Sequence, residues 1–447
     1  MSINNNLPWG CRIVAPPPPP PKTQNTRNQG PRNPSFIPSF PPPHSPLVNT
    51  HTFSTAAAAA RALPSEEEAK TSRVCRSKLQ RAEALQPQLP QTIPSSLSCS
   101  SLTLYSKYSD QKPLDVICSS IAQAQQELRL KIYILDSDAI IEALKRQVVN
   151  GKKLCLYYQF LPDGVTFPQT GLCHLTRFDH RGGAIQHKKH LSIDTDTTIL
   201  SSGNFTDSSL QDDINITLKI ICPHLYQCIR SDRAGSFLLS DQQTVTYYPL
   251  KRNAYNGMPI IVTALNQAKT SIKVALLTLA NQEVLKALAA AKERGVSVEI
   301  VIDRGKRSST VQALRSGDPS VQQLPVQTWE GACTLHCKIG IIDDTTLITG
   351  SANWTKRGLE SNLEDLIIVT PISSQNLATL RVLWQQISSL TAPLSLDDDC
   401  LKTESEQIQS AEALERFNSR FAACKITSDT KRSSKHKTSG SSSRNKT

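Results

Sequence analysis

One pattern of eighteen residues occurs twice in this 447-residue chain. Residues 187–204 read HKKHLSIDTDTTILSSGN, and residues 336–353 read HCKIGIIDDTTLITGSAN. In each copy a His is followed two positions later by Lys, seven later by Asp, fifteen later by Ser and seventeen later by Asn. The constellation is His187, Lys189, Asp194, Ser202 and Asn204, and again His336, Lys338, Asp343, Ser351 and Asn353, 149 positions downstream. A His and a Lys two apart on a strand point to one face. The Ser and Asn follow apolar runs, Thr197–Leu200 and Thr345–Ile348, and so belong at strand ends. The chain must therefore contain two similar units, each presenting the same polar set.

The sequence around the motifs repeats as well. Ala124, Leu128 and Gly151 have counterparts 144 positions later in Ala268, Ile272 and Gly295. The first copy reads as a strand at Ser101–Tyr105, a helix at Leu114–Glu127, a strand at Leu128–Leu135, a helix at Asp138–Val149 closed by Gly151, and a strand at Leu154–Gln159. The second reads as helix Pro259–Lys269, strand Ser271–Leu277, helix Gln282–Arg294 and strand Ser297–Asp303. The offset grows from 144 to 149 between these elements and the His motifs, which predicts a connecting loop five residues longer in the second half. Strands alternating with helices at this spacing predict an α/β fold. It has two similar halves, 101–235 and 240–392, with mainly parallel sheets packed about a pseudo-two-fold axis.

The flanks differ in kind. Residues 1–100 hold unbroken proline runs at Pro16–Pro21 and Pro41–Pro43, which favour an extended polyproline conformation. This predicts a disordered arm, with short helices around 55–84, that acts as a spacer or docks a partner reading Pro-rich motifs. An amphipathic helix is expected around 402–424, followed by a disordered Ser/Lys/Arg tail. The net charge of +12 resides in these flanks: residues 1–110 carry 11 basic and 5 acidic residues, residues 425–447 carry 7 and 1, and the body is neutral. The tails are thus the expected contact for nucleic acid or an anionic membrane. Twelve Cys without CxxC pairs predict free thiols, and Cys333 and Cys337 lack the second ligand pair that zinc needs. The start lacks the features of a signal peptide, and no apolar run reaches the ~20 residues that span a bilayer. The expected location is cytoplasmic or peripheral to a membrane, with non-classical export left open.

The residue types define a chemistry. An imidazole can attack phosphorus or donate a proton near neutral pH. The Lys can neutralise a non-bridging phosphate oxygen, and the Asn and Ser can donate to phosphate. The Asp can accept the other ring N–H of a His. One set makes half of a phosphodiesterase, and two sets facing each other complete it. One His forms a covalent phosphohistidine; the other protonates the leaving alkoxide and then activates water. Two Lys supply the charge that a metal would otherwise bring, so no cofactor and no metal are expected.

Written as HxKxxxxDxxxxxxGSxN twice in one chain, the pattern resembles the phospholipase D superfamily, over about 105–392. The resemblance implies that His187 and His336 are the nucleophile and acid/base pair, with His187 favoured as nucleophile. It implies that Lys189, Lys338, Asn204 and Asn353 hold the phosphate, that Ser202 and Ser351 assist, and that Asp194 and Asp343 support the histidines. Family members often place an acidic residue about ten positions after the Asn; Glu364 fits, and Asp213 is a shorter substitute in the first half. The first copy departs from the pattern at Ser201–Ser202–Gly203, where Ser201 replaces Gly. His190 lacks an Asp seven residues on and reads as a bystander.

Three substrates suit this chemistry. A phospholipid cleaved to phosphatidic acid is favoured, because the body is neutral and aromatics make up only 5% of the chain. A nuclease is the alternative, with Arg304–Arg307 and Lys356–Arg357 as candidate backbone contacts. A phosphatidyl transferase ranks lower, since relatives of that type usually carry membrane helices near the N-terminus. A non-enzymatic adaptor is a fourth reading, against which the intact motifs speak. Both motifs lie in one polypeptide, so a monomer should suffice.

Overall fold

The computed structural model describes residues 92–94, 100–178 and 184–396. The proline-rich arm and its short helices, the helix at 402–424 and the basic tail lie outside the described residues.

The first half runs β1 (Thr92–Pro94), β2 (Ser101–Tyr105), α1 (Pro113–Ala122), β3 (Glu127–Ile134), α2 (Asp138–Val149), β4 (Lys153–Phe160), β5 (Cys173–Arg177), β6 (Lys189–Ile193), β7 (Thr197–Ser201), β8 (Thr217–Ile221) and α3 (Pro223–Arg230). The second runs β9 (Gly235–Leu238), β10 (Thr244–Leu250), α4 (Gly257–Asn266), β11 (Ser271–Leu276), α5 (Gln282–Glu293), β12 (Ser297–Asp303), α6 (Arg307–Arg315), α7 (Pro319–Gln322), β13 (Val326–Trp329), β14 (Lys338–Ile342), β15 (Thr346–Gly350), α8 (Lys356–Glu360), β16 (Glu364–Thr370), α9 (Ser374–Ser388) and β17 (Thr391–Pro393).

Two sheets result. The seven-stranded sheet has the order β2-β8-β7-β6-β3-β4-β5, and the ten-stranded sheet β1-β9-β10-β16-β15-β14-β11-β12-β13-β17. The shared inner order β8-β7-β6-β3-β4-β5 and β16-β15-β14-β11-β12-β13 is the duplication made visible. The expectation of mainly parallel sheets needs correction. Within the repeat, β3-β4-β5 and β11-β12-β13 are parallel, whereas β6, β7 and β8, like β14, β15 and β16, are joined antiparallel. The cause is connection length. Helices α2 and α5 carry the chain back over the sheet for a parallel return, but three-residue turns separate β6 from β7 and β14 from β15, and so short a link can only form a hairpin.

Three cores hold this together. Leu128, Leu130 and Ile132 of β3 pack with Ile117 and Ile121 of α1 and Leu144 of α2. Ile272, Val274, Ile300 and Ile302 pack with Ile261 and Leu265 of α4 and Leu285 and Leu288 of α5. Between the sheets, Leu218 and Ile220 meet Ile339, Ile341 and Ile367. The order is thus helices, sheet, sheet, helices. Each fully buried Leu or Ile contributes about 1.5–3 kcal/mol. Strands β6 and β14, covered on both faces, are buried along their whole length.

The helix ends explain two boundary differences. The helix expected at Leu114–Glu127 stops at Ala122, and the one expected at Pro259–Lys269 stops at Asn266. In each case the amide N–H groups that would continue the turn are taken by a carboxylate from the motif, as described below. Gly151 and Gly295 adopt φ of +79° and +87°, the left-handed conformation that closes a helix, with Lys152 N donating to Gln147 O and Val296 N to Ala291 O. The five-residue difference is a net one and not a single longer loop: α6 and α7 lengthen the link from β12 to β13, where the first half crosses from β4 to β5 without a helix, and the link from β13 to β14 is shorter than that from β5 to β6.

Candidate functional site

Each histidine is stitched to the opposite half. His187 N donates to Leu363 O at 2.9 Å, beside a parallel bridge of Gln186 with Leu363. His336 N donates to Ile214 O at 3.0 Å, beside a matching bridge of Ile214 with Leu335. These crossed pairs bring the two motifs together at the strand ends.

The histidines have different partners. His187 Nδ1 lies 2.9 Å from both carboxylate oxygens of Glu364, which also accepts from Ser351 Oγ at 2.5 Å and Asn362 Nδ2 at 3.2 Å. His336 Nδ1 lies 3.2 Å from Asn215 Oδ1, which also accepts from Ser202 Oγ at 2.8 Å. Asn215 stands eleven positions after Asn204, as Glu364 stands eleven after Asn353. The first half therefore places an amide where the second places a carboxylate. Asp213, expected as the acidic residue, does not reach His336: its Oδ1 accepts from Thr334 N at 3.2 Å. Counting the interval from each Asn would have found Asn215; looking only for acids hid it. Both serines act alike: Ser202 Oγ accepts from Ile216 N and Ser351 Oγ from Asp365 N, fixing the residue behind each histidine.

The lysines reach inward. Lys189 Nζ donates to His187 O at 2.8 Å and lies 5.4 Å from the Tyr133 ring centroid; that ring meets His187 edge-on at 5.0 Å. Lys338 Nζ donates to His336 O and, across the interface, to Ser202 O, and sits 3.1 Å from His336 Nδ1. Lys189 is 0% exposed and Lys338 1%. Neither ammonium has a carboxylate within ion-pair distance among the described residues. Two buried, unpaired cations are costly to hold.

The ionisation follows. Burial lowers Lys338 to about 7 and lowers Lys189 well below the usual lysine range. Burial, then Lys189 and Lys338, push His187 well below its ordinary value; burial, Lys338 and Lys189 do the same to His336. Burial raises Glu364 to about 8 against the pull of Lys189. His187 and Glu364 thus each resist charge and share protons across one hydrogen bond.

Asn204 and Asn353 occupy matched places. Their carboxamide oxygens are buried without a hydrogen-bond partner among the described residues. The residue after each is a buried aromatic, Phe205 or Trp354, whose carbonyl accepts the N–H groups of Asp136 and Ser137, or of Ala280 and Asn281. These anchors, unread in the sequence, tie each Asn to the end of β3 or β11. Gly203 is required beside Asn215, since a Cβ there would meet its Nδ2 at 2.7 Å. Gly350, φ 143°, would place a Cβ 2.0 Å from Asp365 O, whereas its counterpart Ser201 bonds Thr217 Oγ1 at 3.0 Å.

Asp194 and Asp343 do not support the histidines. Asp194, at φ 52°, accepts from the N–H groups of Gln125, Gln126 and Glu127. Asp343, at φ 53°, accepts from Lys269, Thr270 and Ser271. They lie in the hairpin turns at the far end of β6 and β14, and they end the preceding helix rather than serve the site. His190 contacts neither catalytic candidate; its Nδ1 lies 2.8 Å from Asp365 Oδ2, in a buried cluster that includes Lys188 and Tyr247. Burial opposes the charge of Asp365, yet His190 and Lys188 hold its carboxyl well below the usual range. Of the basic clusters, Arg304 pairs with Glu330 at 2.9 Å, and Lys356–Arg357 open α8. The seven described cysteines are free, and among the described residues no helix is long and apolar enough to cross a membrane.

Residues 261–381 match the family described as cardiolipin synthase, PLD-like domain. The chain is 34% identical over 123 residues to a mitochondrial cardiolipin hydrolase of Danio rerio, covering 27% of this chain and 52% of that protein. It is 26% identical over 167 residues to a phospholipase D of Rickettsia prowazekii (strain Madrid E), covering 35% and 80%. It spans about half the length of the cardiolipin hydrolase it matches. The fold also superposes on a phosphatidylserine synthase of Haemophilus influenzae Rd KW20, at TM-score 0.57 and 14% identity, covering 77% of this chain and 99% of that one. With the doubled motif assembled from two matching sheets, the family match and the two curated relatives place the chain in the phospholipase D superfamily.

Proposed function

We propose that this protein hydrolyses a phospholipid phosphodiester to phosphatidic acid through a covalent phosphohistidine, without a metal. The observation that carries the reading is the pair of buried ammoniums, Lys189 and Lys338, unpaired by any described carboxylate and set beside two histidines with unlike partners. An anionic phosphodiester between them offsets the cost of burying both charges, and it raises the pKa of both lysines and of His336. Asn204 and Asn353 hold its oxygens from either side.

His187 is the nucleophile. Its Nδ1–H is held by Glu364, which leaves the Nε2 lone pair free to attack phosphorus and stabilises the positive ring that results. As the N–P bond forms, the P–O bond to the leaving alcohol breaks, and His336 passes its proton to that oxygen. His336 is backed by a neutral amide and pressed by Lys338, so its imidazolium is a ready donor. His336, now neutral, takes a proton from water; the hydroxide attacks phosphorus, the N–P bond breaks, and His187 returns to its neutral form. The lipid class follows the names of the relatives, cardiolipin hydrolase and phospholipase D.

The test is turnover in EDTA by the full chain and its His187→Ala and His336→Ala variants. Phosphatidylcholine or cardiolipin vesicles are offered in one arm, and single-stranded DNA or RNA in the other. Phosphatidic acid released by the unaltered chain alone is the expected result. Cleaved nucleic acid with intact lipid would replace the lipid reading with a nuclease.

A further inference from the structure

The two halves differ at one large cavity. Between the exposed end of β3-β4-β5 and the strand β10 lies a groove of about 760 Å³, lined by Arg129, Lys131, Arg177, Lys188, Arg230 and Lys251. Among the described residues, Asp232 is the only acidic residue of its lining. The volume is that of a site for a discrete small ligand.

Packing does not explain these charges. Positions 131 and 157 hold Lys and Tyr in the first half; 144 residues later they are Ala275 and Val301. Those two are buried beneath Leu383, Trp384 and Ile387 of α9. The corresponding helix of the first half, α3, has eight residues where α9 has fifteen. It ends at Arg230 and leaves the face of Lys131 and Tyr157 open. The duplication thus closed this face in one half and lined it with cations in the other.

The cations are under-compensated. Lys131 and Lys188 share Asp232, at 3.1 and 2.9 Å, and Lys188 also lies 3.5 Å from Asp365. Arg129 pairs with Glu127 at 3.0 Å. Arg177, Arg230 and Lys251 are exposed on the rim, with no carboxylate in ion-pair distance among the described residues. Burial and the neighbouring Lys188 lower the pKa of Lys131, although Asp232 opposes them. The groove is separate from the catalytic lysines: Gln186 and Lys188 line it, while His187 between them faces Glu364.

We propose that this groove binds a small, multiply phosphorylated anion, either free or as the headgroup of a lipid, apart from the site of turnover. Several phosphates are called for because three of the six cations, Arg177, Arg230 and Lys251, lack a carboxylate among the described residues, and a single phosphate brings at most about two charges. Clustered Lys and Arg are the side chains that recognise phosphate.

The experiment is titration calorimetry on the full chain carrying His187→Ala, so that nothing is consumed. The probes are inositol hexakisphosphate, vesicles of phosphatidylcholine with cardiolipin, and a single-stranded RNA 12-mer. Two further variants are compared in that background: a rim reversal (Arg177→Glu, Arg230→Glu, Lys251→Glu) and a catalytic pair (Lys189→Ala, Lys338→Ala), with thermal unfolding to confirm that both fold. The rim reversal should weaken inositol hexakisphosphate at least about tenfold, and the catalytic pair should weaken it less than about threefold. Vesicle binding that falls in parallel with it assigns a headgroup; vesicle binding that does not assigns a free ligand. The opposite pattern between the variants would place the anion at the catalytic lysines and overturn the proposal. So would a rim effect under threefold, which leaves binding to the basic tails, or a rim effect seen with RNA alone. Because the readout is binding, it stands whether or not the chain cleaves lipid.

Discussion

His187 and His336 sit at equivalent places in two copies of one unit, yet one is backed by Glu364 and the other by Asn215. The pair teaches how near-symmetric parts acquire separate tasks. A carboxylate behind the ring favours the positive charge that a phosphohistidine carries. A neutral amide, with an ammonium 3.1 Å from the ring, favours giving a proton away. The serines that fix each partner are matched, but Lys338 reaches the ring of His336 while Tyr133 meets that of His187, so the exchange of Glu364 for Asn215 is the main one of several differences between the two histidines.

The largest effects should come from the histidines themselves. His187→Ala should lower turnover by about 10⁴-fold or more with any leaving group, since no nucleophile remains. His336→Ala should lower it by about 10²–10⁴-fold with a lipid. With a p-nitrophenyl leaving group, which needs no acid, the His336→Ala protein should form the covalent adduct and stall. Intact mass and digestion of that variant should find phosphate on His187; phosphate on His336 in the reciprocal variant would reverse the assignment.

Next come the partners. Glu364→Gln should lower kcat by about 10²-fold, because an amide cannot give up a proton to balance the positive ring of the phosphohistidine. Asn215→Glu, which makes the two sides alike, should retain more activity and raise the pKa of His336, seen by NMR titration of its ring. Equal losses for the two substitutions would dissolve the distinction.

The lysines give a pH signature. Lys338 is lowered to about 7 and acts as a cation, so its contribution is present below that pH and is lost as pH rises through it. The alkaline limb of kcat/KM should therefore begin near 7. The limb in kcat should lie higher, because bound phosphodiester favours the ammonium. Lys338→Arg should move the limb of kcat/KM upward, out of the accessible range.

The smallest effects belong to Asp194 and Asp343. Replacing either by Ala should cost about 1–2 kcal/mol of stability through the lost caps on the N–H groups that lead into β3 or β11, with kcat unchanged below the unfolding transition. A large loss of kcat with unchanged stability would return both to the histidines.

The doubled motif announced two units and most of the polar groups that now stand at the strand ends. It could do so because those groups recur at fixed intervals set by hairpin and strand lengths. A carboxylate near a His in sequence looks like its partner, but the strand carries Asp194 and Asp343 to the end opposite their histidines. Asn215 was overlooked because its value lies in position and not in charge. The buried cluster of His190, Asp365, Lys188 and Tyr247 joins segments about 60 to 175 residues apart, and no local spacing marks it. The antiparallel pairings were hidden for a related reason: the strand signals are local, but their direction depends on the links between them.

Each candidate catalytic histidine borrows its partner from the other half, and that has an evolutionary consequence. Two identical subunits assembled about a true axis would be bound to place the same residue behind both rings; a mutation on one side would be copied to the other. Joining the copies in one gene releases them from that tie. Glu364 and Asn215, and the closed and open faces beneath α9 and α3, are forms of divergence that only a fused duplicate can explore.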